Sequence, residues 1–180
     1  RLPALVVQEN GADLTLFDSK TIAEYVLTHH RTNSKNAASS GAITKKEKFR
    51  PFQVTLFADG RRYEDENILT TMDAALDSAI QIFIFERDGI KRESAPYLLR
   101  QDARIDKCLA WLDAVYAGRT SLHDGLFGFV DLSLMCCLDW LAFRNAHDLG
   151  RHANLTAFYE KNRPRPSLVA TDPRAAAPAK

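Results

Sequence analysis

The stretch that decides the fold lies at the start of the chain, where residues 2–26 read LPALVVQENGADLTLFDSKTIAEYV. Two short apolar runs, at residues 4–7 and 14–17, are typical of β-strands. The Asn-Gly pair between them indicates a hairpin turn, and the six-residue separation predicts a loop looser than a two-residue turn. Asp18 and Ser19 then offer an N-cap to a helix whose apolar residues recur at helical spacing.

The second half of the chain has a helical pattern almost throughout. Between residues 66 and 171, apolar residues repeat every three or four positions, which predicts a bundle of amphipathic helices. The helix at about 129–144 is apolar on nearly every side, so we expect it to lie in the middle of the bundle. Gly128 is its predicted N-cap, and Asp131 at the third helical position is expected to accept the Gly128 backbone N–H. Gly128 has no hydroxyl to return the bond, so this structural cap is half of a capping box.

Composition excludes several classes of protein. Among 180 residues, 24 Lys and Arg balance 23 Asp and Glu, so the net charge of +1 gives no field that would gather nucleic acid or an anionic membrane. No run of 18 apolar residues exists, and we expect no membrane-spanning segment. The three cysteines are an odd number and two are adjacent, which favours free thiols in a reducing, cytoplasmic compartment.

The sequence contains none of the common catalytic or metal-binding motifs considered next. The sequence has no GxSxG, HExxH, P-loop or GxGxxG pattern. His147 and His152 flank a glycine in a loop between helices, so we expect them to be structural or exposed, and we expect no metal site. Cys136 and Cys137 lie among apolar residues of one helix, which favours core packing over reactivity.

The order of these features resembles one known family. Leu2-Pro3-Ala4-Leu5, the hairpin and residues 17–25 resemble the second half of the thioredoxin-like domain of cytosolic glutathione transferases. The helical remainder, with Asp131 in its central helix and an ending that contains Arg165-Pro166-Ser167, is similar to the C-terminal domain of that family. The resemblance implies an α+β, mostly α fold: an incomplete thioredoxin-like domain (hairpin plus helix) followed by an all-α bundle.

The resemblance also implies a glutathione-binding site at Leu2, Pro3, Asp18 and Ser19. In the family the proline is cis, which would turn the Leu2 N–H and C=O toward an extended peptide. The positive end of the helix that begins at Ser19 would receive the γ-glutamyl carboxylate, with the Ser19 hydroxyl as a further donor. Asp18 would pair with the α-ammonium group. The alternative interpretation is local: Asp18 and Ser19 only cap a helix, and Pro3 only opens a strand.

The implied activity is attack by the glutathione thiolate on an electrophilic, apolar substrate. Glutathione would be a co-substrate, so no cofactor and no metal is expected. The electrophile would lie between the domains against the first long helix, where Met72, Ala75 and Ala79 face either this substrate or the bundle core. We expect a homodimer, with no nucleic-acid or membrane partner.

Two departures from the family pattern limit this prediction. The βαβ unit that opens a thioredoxin-like domain is absent from the sequence, and in the family that unit holds the Tyr, Ser or Cys that activates the thiol. We therefore expect the sequence to be part of a longer chain, and we assign no catalytic residue. The polar and basic segment at 31–64 is also longer than a simple linker requires.

The predicted domain organisation follows from these points. Residues 1–30 would be the remainder of the thioredoxin-like domain, 31–64 a linker with room for a short hairpin, 65–172 the helical domain and 173–180 a disordered tail. Two alternatives remain. The chain is a non-catalytic interaction module of the same fold, with 31–64 as a docking element, or it is an unrelated helical adaptor, which predicts a trans bond before Pro3.

Overall fold

The computed structural model describes residues 3–35, 56–58, 60–123 and 126–175. A two-stranded antiparallel hairpin comes first and is followed by helices. The Leu2–Pro3 bond, and with it the geometry expected of Leu2, lies outside the described residues. The elements are β1 (Ala4–Glu9), β2 (Ala12–Phe17), α1 (Ser19–Lys35), α2 (Arg62–Arg87), α3 (Pro96–Val115), α4 (Phe129–Arg144), α5 (Ala153–Asn162) and α6 (Pro166–Ala170), with short 3₁₀ turns at Arg92–Ser94 and Leu149–Arg151.

The hairpin turn is tighter than the sequence predicts. Asn10 and Gly11 form a two-residue turn with φ angles of 52° and 79°, as a type I′ turn requires. The predicted looser loop is wrong because the strands extend beyond their apolar runs. Polar residues next to the turn, including the pair Gln8 and Asp13, continue the backbone ladder.

The first helix extends further than the periodicity of its apolar residues indicates. Helix α1 runs to Lys35, so the start of the basic segment at 31–64 is helical, and α2 begins at Arg62. Residues 36–55 and 59, which include part of the short hairpin considered for this segment, lie outside the described residues. Leu56 and Phe57 form a bend and are not part of a strand.

Helices α2 to α5 share one hydrophobic core. Helix α4 contributes three fully buried leucines, Leu134, Leu138 and Leu141, as its all-round apolar sequence predicts. From α2, Ala75 and Ala79 are also fully buried in this core, with Met72 beside them. These α2 residues therefore face the bundle, which settles the choice that the sequence left open. The predicted hairpin, helix and helical bundle are all present.

Helix α2 is the one helix among the described residues that is long and apolar enough to cross a membrane by length and composition alone. This is weak evidence, because the core helix of a bundle passes the same test. Asp65 and Ser78 of α2 are buried inside the protein and hydrogen-bonded there. The burial of α2 against α3 and α4 accounts for its apolar composition.

Candidate functional site

The hairpin register brings three of the four predicted site residues to one place. Ala4 of β1 pairs with Phe17 of β2. Pro3 precedes the first of these residues and Asp18 follows the second, so both lie at the open end of the hairpin, where α1 begins. Pro3, Asp18 and Ser19 are all exposed to solvent. The structure thus joins the strand opening and the helix start that the sequence places fifteen positions apart.

Asp18 shapes the start of α1. Its φ of 75° lies in the left-handed region, which Asp tolerates better than most residues. The Lys20 amide donates to Asp18 Oδ1 at 2.8 Å, and the Ile22 amide donates to the Asp18 carbonyl at 3.0 Å. Asp18 is therefore the N-cap of α1. The described residues provide no hydrogen-bond partner for the neighbouring Ser19 hydroxyl.

Charges from α2 lie close to this helix start. Lys20 Nζ is 3.7 Å from Glu66 Oε1 and 5.7 Å from the ring centroid of Phe57. Burial raises the pKa of the Asp73 carboxyl on α2, and the nearby carboxylates of Asp77 and Asp18 raise it further. The open end of the hairpin, which we call the open-end site (Pro3, Asp18 and Ser19), therefore borders an acidic stretch of α2. No local sequence pattern connects Asp73 with Asp18, so the sequence does not predict that they lie near each other.

The cap of α4 is a separate, buried feature. The Gly128 amide donates to Asp131 Oδ2 at 2.9 Å. Asp131 Oδ1 accepts from the Leu122 amide at 2.8 Å and from the Tyr116 hydroxyl at 3.0 Å. Burial raises the pKa of Asp131, although all three hydrogen bonds oppose that shift. The carboxylate therefore fixes the loop between α3 and α4 as well as the start of α4, a role that short-range sequence reasoning does not reveal.

The Asp65 carboxylate and the His123 imidazole form a pair that stabilises the start of α2. His123 Nε2 lies 2.8 Å from Asp65 Oδ1, and the Ala58 amide donates to Asp65 Oδ2 at 2.9 Å. Asp65 is almost fully buried. Both oxygens of this carboxylate thus hold chain segments in place, which favours a structural role over proton transfer.

A cavity of about 580 Å³ lies between α4, α5 and the C-terminal segment. Its apolar wall includes Trp140, Phe143 and Leu168, while Asp139 and Arg174 pair across it at 2.8 Å. None of its lining residues belongs to β1, β2, α1 or α2. It is therefore not the position beside the first long helix where the sequence predicts an electrophile.

The adjacent cysteines of α4 have different surroundings. Cys137 is buried, and burial raises the pKa of its thiol to about 12. Cys136 is exposed and lines the cavity, so core packing is wrong for that residue. Desolvation and the nearby Asp139 raise the pKa of Cys136 as well. Neither thiol is activated, and the described cysteines are all free.

Asp106, His147 and His152 form the group of described residues that is able to hold a metal ion. One potential ligand atom from each lies within 4.8 Å of the other two. The two histidines are close in sequence, but Asp106 lies about forty positions before them, so no local pattern predicts its part in the group. Burial lowers the pKa of both imidazoles.

Searches with the sequence find no matching family model and no matching curated protein. The fold, in contrast, matches solved structures. A glutathione transferase family member from Pseudomonas fluorescens Pf-5, with bound S-(propanoic acid)-glutathione, has a TM-score of 0.60 and 22% identity over 94% of this chain and 75% of that one. A glutathione S-transferase from Methylobacterium radiotolerans JCM 2831, in complex with glutathione sulfonate, has a TM-score of 0.66 and 19% identity over 95% of this chain and 71% of that one.

A third structure agrees with these two. The glutathione S-transferase from Methylobacillus flagellatus KT with bound glutathione has a TM-score of 0.62 and 19% identity, over 87% of this chain and 69% of that one. The unrelated helical adaptor is thereby excluded, since an unrelated fold would not match over most of the chain. The described residues have the fold of the glutathione transferase family: part of a thioredoxin-like domain followed by the helical domain.

Proposed function

We propose that this chain binds glutathione at the open-end site and belongs to an enzyme that transfers the glutathione thiolate to an electrophilic, apolar substrate. One observation carries the proposal: the hairpin register unites Pro3, Asp18 and Ser19 at an exposed helix start. Three solved structures of the same fold hold glutathione or a derivative of it, which supports this ligand class.

The chemistry of the open-end site suits the γ-glutamyl end of glutathione. The start of α1 carries a partial positive charge that favours the α-carboxylate, and the Lys20 ammonium, which also faces Glu66 Oε1 at 3.7 Å, adds to it. The exposed Ser19 hydroxyl is a further donor to that carboxylate. The α-ammonium group would pair with the Asp18 carboxylate, whose cap bond to the Lys20 amide uses one of its two oxygens.

The transfer step is a substitution or an addition at carbon. The sulfur of the thiolate forms a bond with the electrophilic carbon. In a substitution, a leaving group such as a halide departs with its electron pair; in an addition to an activated double bond, the π electron pair moves to the neighbouring atom, which takes up a proton from solvent. The thiol proton passes to solvent or to a base. We assign no described residue to thiol activation, and the open-end site contributes by holding the tripeptide.

Calorimetric titration of the purified chain with glutathione tests the binding step. Asn is as good an N-cap as Asp and also tolerates a positive φ, so Asp18→Asn keeps the cap but loses the charge. We expect this variant to lower glutathione affinity about tenfold, the loss of one charge-assisted hydrogen bond. Asp13→Asn, an exposed change in the same hairpin, is the matched control and leaves the affinity unchanged.

A second pair of variants tests the hydroxyl. Ser19→Ala is expected to weaken binding about fivefold, roughly 1 kcal/mol, by removing one neutral donor. The exposed Ser94→Ala leaves it unchanged. Absence of glutathione binding by the unmodified chain, both by calorimetry and on glutathione-agarose, contradicts the proposal. Equal affinity of the parent chain and Asp18→Asn assigns Asp18 to the cap alone.

A non-catalytic interaction module of the same fold is the second candidate. The exposed apolar side chains of Val6, Phe17 and Val26 favour it, because they offer a surface for another protein or for a second copy of the chain. Conjugation of an activated aryl halide, followed by its absorbance, separates the candidates. Binding of glutathione without turnover by the full-length protein favours the module, and turnover favours the transferase.

A further inference from the structure

Three segments that are distant in sequence meet on the side of the bundle where α4 connects to α5. Asp106 lies on α3, His147 lies in the turn after α4, and His152 immediately precedes α5. The imidazole rings of the two histidines stack, with centroids 5.5 Å apart and an interplanar angle of 24°. This cluster contains no residue of the hairpin or of α1.

We propose that Asp106, His147 and His152 bind a zinc ion that ties α3 to the connection between α4 and α5. The proposal concerns a site separate from the open-end site and does not depend on glutathione binding.

Two of the three distances between the candidate ligand atoms fit tetrahedral zinc coordination, and the third is no more than 4.8 Å. Zinc–nitrogen bonds are about 2.0–2.1 Å long, so two ligand atoms of one tetrahedral ion lie roughly 3.3 Å apart. His147 Nε2 and His152 Nε2 are 3.3 Å apart, and His147 Nε2 and Asp106 Oδ1 are 3.5 Å apart. The same nitrogen of His147 thus faces both of the other candidate ligands.

A second observation also points to a ligand. Asp106 Oδ1 is buried, yet it has no hydrogen-bond partner among the described residues. A buried carboxylate oxygen that accepts no hydrogen bond is costly, because it has lost water without gaining an aligned donor. Coordination of a cation would satisfy this oxygen.

Arg151 is the competing cation. Its Nη1 lies 2.9 Å from Asp106 Oδ1, but the contact lacks hydrogen-bond geometry, and the side chain is more than half exposed. The guanidinium is therefore able to turn toward solvent when a metal binds. The other charged groups that act on the two imidazoles are the carboxylates of Asp102, Asp113 and Asp148, which favour a positive ion.

A hydrogen bond between the two imidazoles is the simpler explanation of their contact. One neutral ring would donate and the other accept, which accounts for the 3.3 Å separation. This hydrogen bond between the rings leaves Asp106 Oδ1 without a hydrogen bond, and it does not explain why the Asp106 carboxylate faces His147 Nε2. Two imidazoles and one carboxylate are ligands that zinc commonly uses, with the fourth position open to water. Mg²⁺ and Ca²⁺ prefer oxygen ligands alone.

The first test uses the unmodified, tag-free chain after removal of metals with a chelator. We expect one equivalent of Zn²⁺ to bind and to raise the melting temperature, and one equivalent of Co²⁺ to give the visible absorption of a tetrahedral ion. Mg²⁺ at the same concentration is expected neither to raise the melting temperature nor to produce a visible absorption. This measurement needs no variant, so it holds even where substitution of the buried His152 impairs folding.

The second test compares matched variants. His147→Gln and Asp106→Asn are each expected to lower Zn²⁺ affinity about 100-fold or more, since each removes one of three protein ligands. His29→Gln, at an exposed histidine on α1, is the control and leaves the affinity unchanged. Circular dichroism establishes that each variant is folded.

The outcomes separate the zinc site from surface binding. The proposal is overturned when the unmodified chain binds no zinc, or when it binds zinc with the same affinity as both folded ligand variants. A loss in His29→Gln equal to that in His147→Gln also overturns it, since binding is then spread over surface histidines. All of these measurements are made without glutathione, so their failure leaves the proposed glutathione site untouched.

Discussion

The hairpin with α1 and the bundle formed by α2 to α5 bury their apolar residues to very different degrees. Val6 and Phe17 of the hairpin are 61% and 60% exposed, whereas Ile105 and Leu138 of the bundle are fully buried. A two-stranded hairpin is marginally stable by itself, while a helical bundle with a continuous core sustains its own fold. The bundle therefore supplies most of the stability of this chain, and the open-end site lies on the part that contributes least to it.

The largest effect is expected in the bundle core. Leu138→Ala removes a fully buried side chain and leaves a cavity, which should lower the free energy of unfolding by about 2–5 kcal/mol. Leu14→Ala in the exposed hairpin is the matched control and should cost less than about 1 kcal/mol. Urea denaturation followed by the fluorescence of Trp111 and Trp140 measures both. Equal losses in the free energy of unfolding for the two leucine variants would contradict the conclusion that the bundle is the more stabilising region.

The buried cap of α4 comes next. Asp131→Ala leaves the Gly128 and Leu122 amides and the Tyr116 hydroxyl without their shared acceptor. We expect a loss of about 2–3 kcal/mol in the same urea experiment. Asp13→Asn, an exposed change in the hairpin, should stay within about 0.5 kcal/mol. A cost below 1 kcal/mol for Asp131→Ala would mean that the loop readily finds other acceptors.

A smaller, local effect is expected at the cap of α1. Asp18→Ala removes the bond to the Lys20 amide, a loss of about 1 kcal/mol, while Asp18→Asn keeps a cap. Hydrogen exchange should therefore be about fivefold faster for α1 amides in Asp18→Ala and unchanged for bundle amides. Faster exchange throughout the bundle would show that the two regions unfold together.

The smallest expected effect is a pH dependence confined to the bundle. Burial lowers the pKa of His147 and of His152, so the unfolded chain binds protons on these residues more readily than the folded chain. Their contribution to stability is therefore complete above about pH 6.5 and is lost as the pH falls below it. With a chelator present, the melting temperature of the unmodified chain should fall more between pH 7 and pH 5 than that of His147→Gln. Parallel curves would contradict this.

Local patterns predict much of the molecule. Helix α4 is predicted with both of its ends, because a capping carboxylate and an apolar sequence are visible within sixteen residues. The hairpin turn is predicted in position but not in length, since the pairing of Gln8 with Asp13 depends on backbone hydrogen bonds that side-chain hydropathy does not reveal. The end of α1 is missed for the same reason, because its last residues are polar.

In the candidate sites, too, residues that are neighbours in sequence are predicted, whereas residues that meet only in the folded chain are not. Asp18 and Ser19 are predicted because an N-cap and a helix start are neighbours in sequence. Asp73 and Asp106 are missed, because each meets its partners only after helices from different parts of the chain have packed. One sequence without relatives contains no signal for such contacts.

The two-residue turn at Asn10 and Gly11 has a consequence for how this chain tolerates change. Side chains alternate between the two faces of a strand, so a shift of one residue in pairing reverses every face of the hairpin. The turn lies at the far end of the hairpin, about 20 Å from Pro3 and Asp18 at six residues of roughly 3.3 Å each. An insertion in the turn would shift the pairing of β1 with β2, and so would displace Pro3 relative to Asp18 without changing either residue. The length of this surface turn therefore sets the spacing on which the proposed glutathione contact depends.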